Sequence, residues 1–232
     1  MRNIAARKAI ETSMGLPKIL KKLLPAEWVY QYELRSLHKT INSDMSEADW
    51  RSKGSPLPPP NAVKWAAMRH YAKLHHATVF VETGTFMGDT TFAMRDTFEQ
   101  LHTVEFDAKL YQRATTRFAQ TPRITVWHGD GGATLPEVLK KVSATATCVF
   151  WLDGHYSGGV TGKATANTSV TDEVKVVYAH GKQHVILIDD ARLFNGTNDY
   201  PSLESLTQLA RTRDPDCVFS VQDDIIRITP KP

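Results

Sequence analysis

One stretch constrains the fold more than any other: residues 78–91, T-V-F-V-E-T-G-T-F-M-G-D-T-T. It opens on an apolar, β-branched run, Val79-Phe80-Val81, too short for a helix and bounded by a turn. Such a run reads as a buried parallel strand. Glu82 follows, then Gly84 and Gly88, then an amphipathic segment expected to be helical over 91–100. Strand, glycine turn and helix bring backbone N–H groups and a helix N-terminus to a ligand. Gly84 removes a Cβ where a ligand or the backbone passes closely. An ordinary tight βα turn has the same outline, so the turn alone does not decide.

The pattern repeats. Residues 101–106 read as a second strand carrying Glu105, placed to accept hydrogen bonds from ribose hydroxyls. A third strand, 124–128, runs into Gly129-Asp130-Gly131. Three strands thus end in Glu82, Glu105 and Asp130, and carboxylates at one edge of a parallel sheet repel unless something binds there. The fourth strand, 147–152, ends in Asp153-Gly154-His155, and the fifth, 184–188, in Asp189-Asp190. Helices are expected over 62–74 with Asn61 as cap and Val63, Ala66, Ala67, Tyr71 and Leu74 on one face. Others are expected after Asp107, over 134–142, 170–180 and 202–212. Strands alternating with helices predict a doubly wound, mostly parallel α/β sheet. Residues 217–221 and 225–228, joined by a short polar turn, complete seven strands as a C-terminal antiparallel hairpin.

Residues 1–60 stand apart as an N-terminal helical extension, with helices over 16–24 and 26–40 and a stiff Pro-rich linker, Ser55-Pro56-Leu57-Pro58-Pro59-Pro60. A basic amphipathic piece here could lie on a membrane surface. Packing on its own domain or on a second subunit is the expectation, so a homo-oligomer is possible. A net charge of +3 does not argue for nucleic acid. Cys148 and Cys217 sit in apolar strand-like runs and read as buried thiols. With neither a transmembrane run nor a visible signal peptide, the expected location is cytoplasmic.

E-T-G-T-F-M-G, V-E-F-D and H-G-D resemble the first three motifs of class I S-adenosylmethionine-dependent methyltransferases, with Phe86 standing where a middle glycine is often found. The resemblance runs from about Asn61 to the C-terminus, making 61–232 the cofactor-binding domain. It implies that Glu82 and Gly84, within the turn Glu82, Thr83, Gly84, Thr85 and Gly88, hold the methionine end. It further implies Glu105 on the ribose, Asp130 on the adenine amino group and Asp153 beside the cofactor.

Asp153, Asp189 and Asp190 would meet if the fourth and fifth strands are neighbours. Oxygen ligands at that density suit Mg²⁺ or another hard divalent metal. The alternative is that one aspartate caps a helix and another meets Arg192. Leu152-Asp153-Gly154 and Ile188-Asp189-Asp190 resemble a narrower group, the metal-dependent O-methyltransferases of macrolide and aminocoumarin sugars. That resemblance implies a metal on Asp153, Asp189 and Asp190, binding two adjacent oxygens of a small-molecule substrate. His155 is a candidate base, with metal ligand or lid anchor as alternatives. Residues 158–169 read as a lid, and Glu173 is placed either in the same cleft or simply near a helix N-terminus. A nicotinamide-dependent oxidoreductase on a similar sheet is the competing class, although Glu82 would meet its pyrophosphate. A cofactor-binding relative with another metal-assisted reaction is a third.

Overall fold

In a computed structural model, residues 24–41, 44–154 and 168–231 are described. Helix 16–24 is therefore almost wholly outside the described residues, as are His155 and all of the 158–169 segment except Thr168 and Ser169. Residues 24–41 belong to one compact unit, and residues 45–154 and 168–231 to another. The first unit contains helix α1, Ala26–Ile41, with Trp28 and Tyr32 exposed.

In the second unit the chain runs α2 (Glu47–Ser52), α3 (Asn61–Leu74), β1 (Val79–Thr83), α4 (Asp89–Met94), β2 (Gln100–Glu105), α5 (Ala108–Phe118), β3 (Ile124–His128) and α6 (Gly131–Leu139). It continues through β4 (Cys148–Leu152), α7 (Val170–His180), β5 (Val185–Ile188), a 3-10 turn at Ala191–Leu193, α8 (Leu203–Arg213), β6 (Val218–Gln222) and β7 (Ile225–Thr229). The strand order is β3-β2-β1-β4-β5-β7-β6, parallel except for the antiparallel pairings of β7 with β5 and β6. The order reverses between β1 and β4, where ligands bind in open α/β sheets.

Strand alternation builds two cores. Val79, Val81, Phe150, Leu152, Ile186 and Ile188 pack on one face with α6, α7 and α8. Phe80, Val149, Trp151, Val185 and Leu187 pack on the other with Met68, Ala72, Met94 and Ala114. The expected hairpin forms with a two-residue turn, Asp223-Asp224, both at positive φ. Two positive φ values mark the turn geometry that matches strand twist.

Several boundaries differ from expectation. The helix after the glycine turn ends at Met94, because Glu99 and Gln100 donate to the Thr78 carbonyl and Gln100 opens β2. Asn61 does not cap α3; Pro60 stands at the cap and its carbonyl receives the Val63 N–H. The buried stripe of α3 is Val63, Lys64, Met68 and Ala72, and Leu74 is exposed. Before α3, the Pro-rich run is anchored: Trp50 is buried and its indole N–H donates to the Pro56 carbonyl at 2.7 Å. Among the described residues no helix is long and apolar enough to cross a membrane.

Candidate cofactor site at the β1/β4 switch point

β1 delivers Glu82 and Thr83 to the carboxyl edge, in register with Thr103 and Val104 of β2 and with Trp151 and Leu152 of β4. Gly84 then turns at φ +86, and a Cβ there would collide with the Asp153 carbonyl. Only glycine lets β1 and β4 approach so closely while taking this φ. Gly88, at φ +78, opens α4 with the Phe118 ring against it. Arg117 of α5 closes the turn from outside, donating to the Met87 carbonyl and pairing with Asp89 at 2.7 Å.

Glu82 is buried, and its Oε2 accepts from Thr91 at 2.5 Å and Thr103 at 2.7 Å. Thr85 is buried beside them, its hydroxyl 2.6 Å from that of Thr103. Burial pushes the Glu82 carboxyl up to about 8; the two hydroxyls oppose the shift and the charges of Asp153 and Glu105 add to it. Glu105 is pushed up to about 7, again mainly by burial, although it accepts backbone N–H bonds from Phe86 and Asp107 at 2.8 Å each. Phe86 reaches that bond with φ 49, a strained value for an aromatic residue. The residue in the place of a missing glycine thus adopts a conformation that glycine would take without strain.

Thr83 Oγ1 is buried without a hydrogen-bond partner among the described residues. It lies against Gly154, whose added Cβ would come within 3.2 Å of it. Glu173 is also buried, accepts from Ser169 Oγ at 2.9 Å, and lies where a Cβ on Gly131 would collide with its carboxylate. Glu173 is in the first turn of α7 and packs against Gly131 after β3 and Gly154 after β4. Asp130 accepts from Ala133 N–H and caps α6, which consequently starts at Gly131, ahead of the expected start.

Asp189 and Asp190 follow β5 beside Asp153, which follows β4. Lys64, which the sequence reading did not single out, enters from α3 and forms a short buried ion pair with Asp189 Oδ2. The other Asp189 oxygen accepts the Asp190 N–H at 2.9 Å. Burial works against the Lys64 charge, but Asp189, Asp153 and Asp190 outweigh it and raise its pKa above the ordinary lysine range. Asp190 pairs with Arg192 at 2.7 Å, and Arg192 also pairs with the buried Asp224. A divalent metal on Asp153, Asp189 and Asp190 does not fit this arrangement. Both oxygens of Asp189 are engaged, Lys64 pairs with Asp189 and Arg192 with Asp190, and with these cations in place no His, Cys, Asp or Glu group among the described residues is arranged to hold a metal.

No family model matches the chain, and no curated protein matches it. Solved structures do. A methyltransferase of Podospora anserina, PaMTH1, bound to S-adenosylhomocysteine, is 16% identical and superposes with a TM-score of 0.52 over 100% of this chain and 95% of that one. An O-methyltransferase of Bacillus cereus in complex with S-adenosylhomocysteine is 12% identical, with a TM-score of 0.53 over 95% of this chain and 99% of that one. TomG of Streptomyces achromogenes, an O-methyltransferase involved in tomaymycin synthesis and solved with S-adenosylmethionine, is 14% identical, with a TM-score of 0.50 over 78% and 86%.

The chain has the fold of S-adenosylmethionine-dependent methyltransferases. Within that fold, the glycine turn follows β1 at the switch point, and Asp153 and Glu105 lie near enough to Glu82 for their charges to act on it.

Proposed function

We propose that this protein is an S-adenosylmethionine-dependent methyltransferase acting on a hydroxyl of a small molecule, a sugar or other natural product. The observation that carries the reading is the gathering of Glu82, Glu105 and Asp153 around the Gly84–Gly88 turn at the β1/β4 switch point. Carboxylates crowded at one edge suit a ligand with cationic and hydroxyl groups. S-adenosylmethionine supplies an electrophilic sulfonium methyl. In this reading the Glu105 carboxylate accepts from the ribose hydroxyls, Glu82 and the Gly84 turn receive the methionine end, and Asp130 and Asp153 line the same edge. Thr83 Oγ1, without a hydrogen-bond partner among the described residues, is a donor in reach of that edge. The solved relatives with S-adenosylhomocysteine or S-adenosylmethionine bound support this choice of cofactor, and two of the three are described as O-methyltransferases.

Calorimetric titration with S-adenosylhomocysteine, and separately with nicotinamide dinucleotides, tests the reading. Binding of the first alone is expected. Binding of a dinucleotide and not of S-adenosylhomocysteine would move the protein to the oxidoreductase class.

A further inference from the structure

Lys64 lies on α3 in line with Met68 and Ala72, one turn and two turns on, and both of these are buried in the core. A lysine on such a stripe is held to its place by the helix beneath it. Its ammonium meets Asp189 Oδ2, with side-chain exposures of only 11% and 2% for the two partners. The Trp151 ring lies 5.9 Å from the same nitrogen, close enough to add a cation–π attraction. Trp151 is the second residue before Asp153, so the face of β4 that carries the ring leads toward the aspartate at its end. On the far side, Arg192 neutralises Asp190 and is itself held by Asp224.

We propose that Lys64 is the resident cation of the three-aspartate site, standing where a divalent metal would otherwise bind, and that it keeps Mg²⁺ and Mn²⁺ out. A dication approaching Asp189 meets an ammonium at contact distance from the same oxygen. The two repel at short range in a poorly solvated place. The ammonium cannot simply withdraw, because leaving would strip a buried carboxylate and a buried lysine of their partners. Removing Lys64 leaves Asp189 without its cation while Arg192 stays on Asp190, and a carboxylate group short of positive charge is what hard divalent ions take up.

Electron paramagnetic resonance of Mn²⁺ tests this on the full chain, because bound Mn²⁺ is lost from the free-ion signal. The wild-type protein is expected to leave the signal of millimolar Mn²⁺ unchanged. Lys64→Ala is expected to take up one Mn²⁺ at least about tenfold more tightly than wild type, and Asp189→Asn in the Lys64→Ala background to abolish that uptake. Lys64→Met, which keeps the apolar stem, serves if the alanine variant does not fold, as judged by circular dichroism. Mn²⁺ binding to the wild type that disappears in Asp189→Asn would overturn the proposal, as would a folded Lys64 variant with no gain over wild type. Mn²⁺ uptake reads the aspartate group and S-adenosylhomocysteine binding reads the cofactor site, so this proposal and the methyltransferase reading can fail separately.

Discussion

A carboxylate that already accepts two backbone N–H bonds is oriented before any ligand arrives. Glu105 is in that position, with Phe86 N–H on one oxygen and Asp107 N–H on the other. Its remaining lone pairs are available to neighbouring hydroxyls, and charge-assisted hydrogen bonds contribute roughly 1.5–3 kcal/mol. Glu105→Ala is therefore expected to weaken S-adenosylhomocysteine binding by about tenfold or more, read by calorimetry. Unchanged affinity would put the cofactor elsewhere. Glu105 was legible because it ends a strand two residues before a capping aspartate. Lys64 was not legible, because its partner is 125 residues away and the apolar face expected of α3 leaves a lysine out. The expected face is Val63, Ala66, Ala67, Tyr71 and Leu74, whereas the buried stripe is Val63, Lys64, Met68 and Ala72. A lysine in line with two core residues was the available signal.

Elements were legible where a local signal was complete. β3 and α7 occupy the expected residues, since each is a strand or helix pattern closed at both ends by polar or glycine residues. α5 begins where Asp107 predicted, with the side chain accepting from Lys109 and Leu110 N–H. Losing such a cap costs about 1 kcal/mol. Asp107→Ala is expected to lower the unfolding free energy by that amount, seen as a lower denaturant midpoint with an unchanged slope, and a midpoint equal to wild type would mean that α5 does not depend on its cap. Elements misread by sequence were those whose ends are set by distant chain. α4 stops at Met94 because Phe98 packs against Phe80, ring centroids 5.2 Å apart, and Gln100 pairs with Val79 across the sheet. The Asp190–Arg192 pair was foreseen as an alternative to metal binding because it lies within three residues; the Lys64–Asp189 pair, spanning most of the fold, was not.

For the molecule as a whole, two buried carboxyls with raised pKa values couple folding and binding to pH. Glu82 stands at about 8 and Glu105 at about 7, whereas an unfolded glutamate titrates at about 4.3. Between the unfolded value and the folded ones the native state holds more protons than the unfolded state. The contribution of these two groups to stability is therefore fully present below the unfolded pKa and is lost as pH rises through the folded values. Ligand binding runs the other way. A ligand that donates hydrogen bonds to Glu105 and brings positive charge to Glu82 favours their ionised forms, so binding releases protons. S-adenosylmethionine affinity is expected to rise between about pH 6 and pH 8 and to level off above. Calorimetry at pH 7 in buffers of different ionisation enthalpy should register net proton release. Glu82→Gln should remove the upper part of the rise and Glu105→Gln the lower part, because each variant deletes one titration. An affinity that stays flat from about pH 6 to 9 in the wild type would mean that neither carboxylate meets the cofactor, and the acids at the switch point would then be structural.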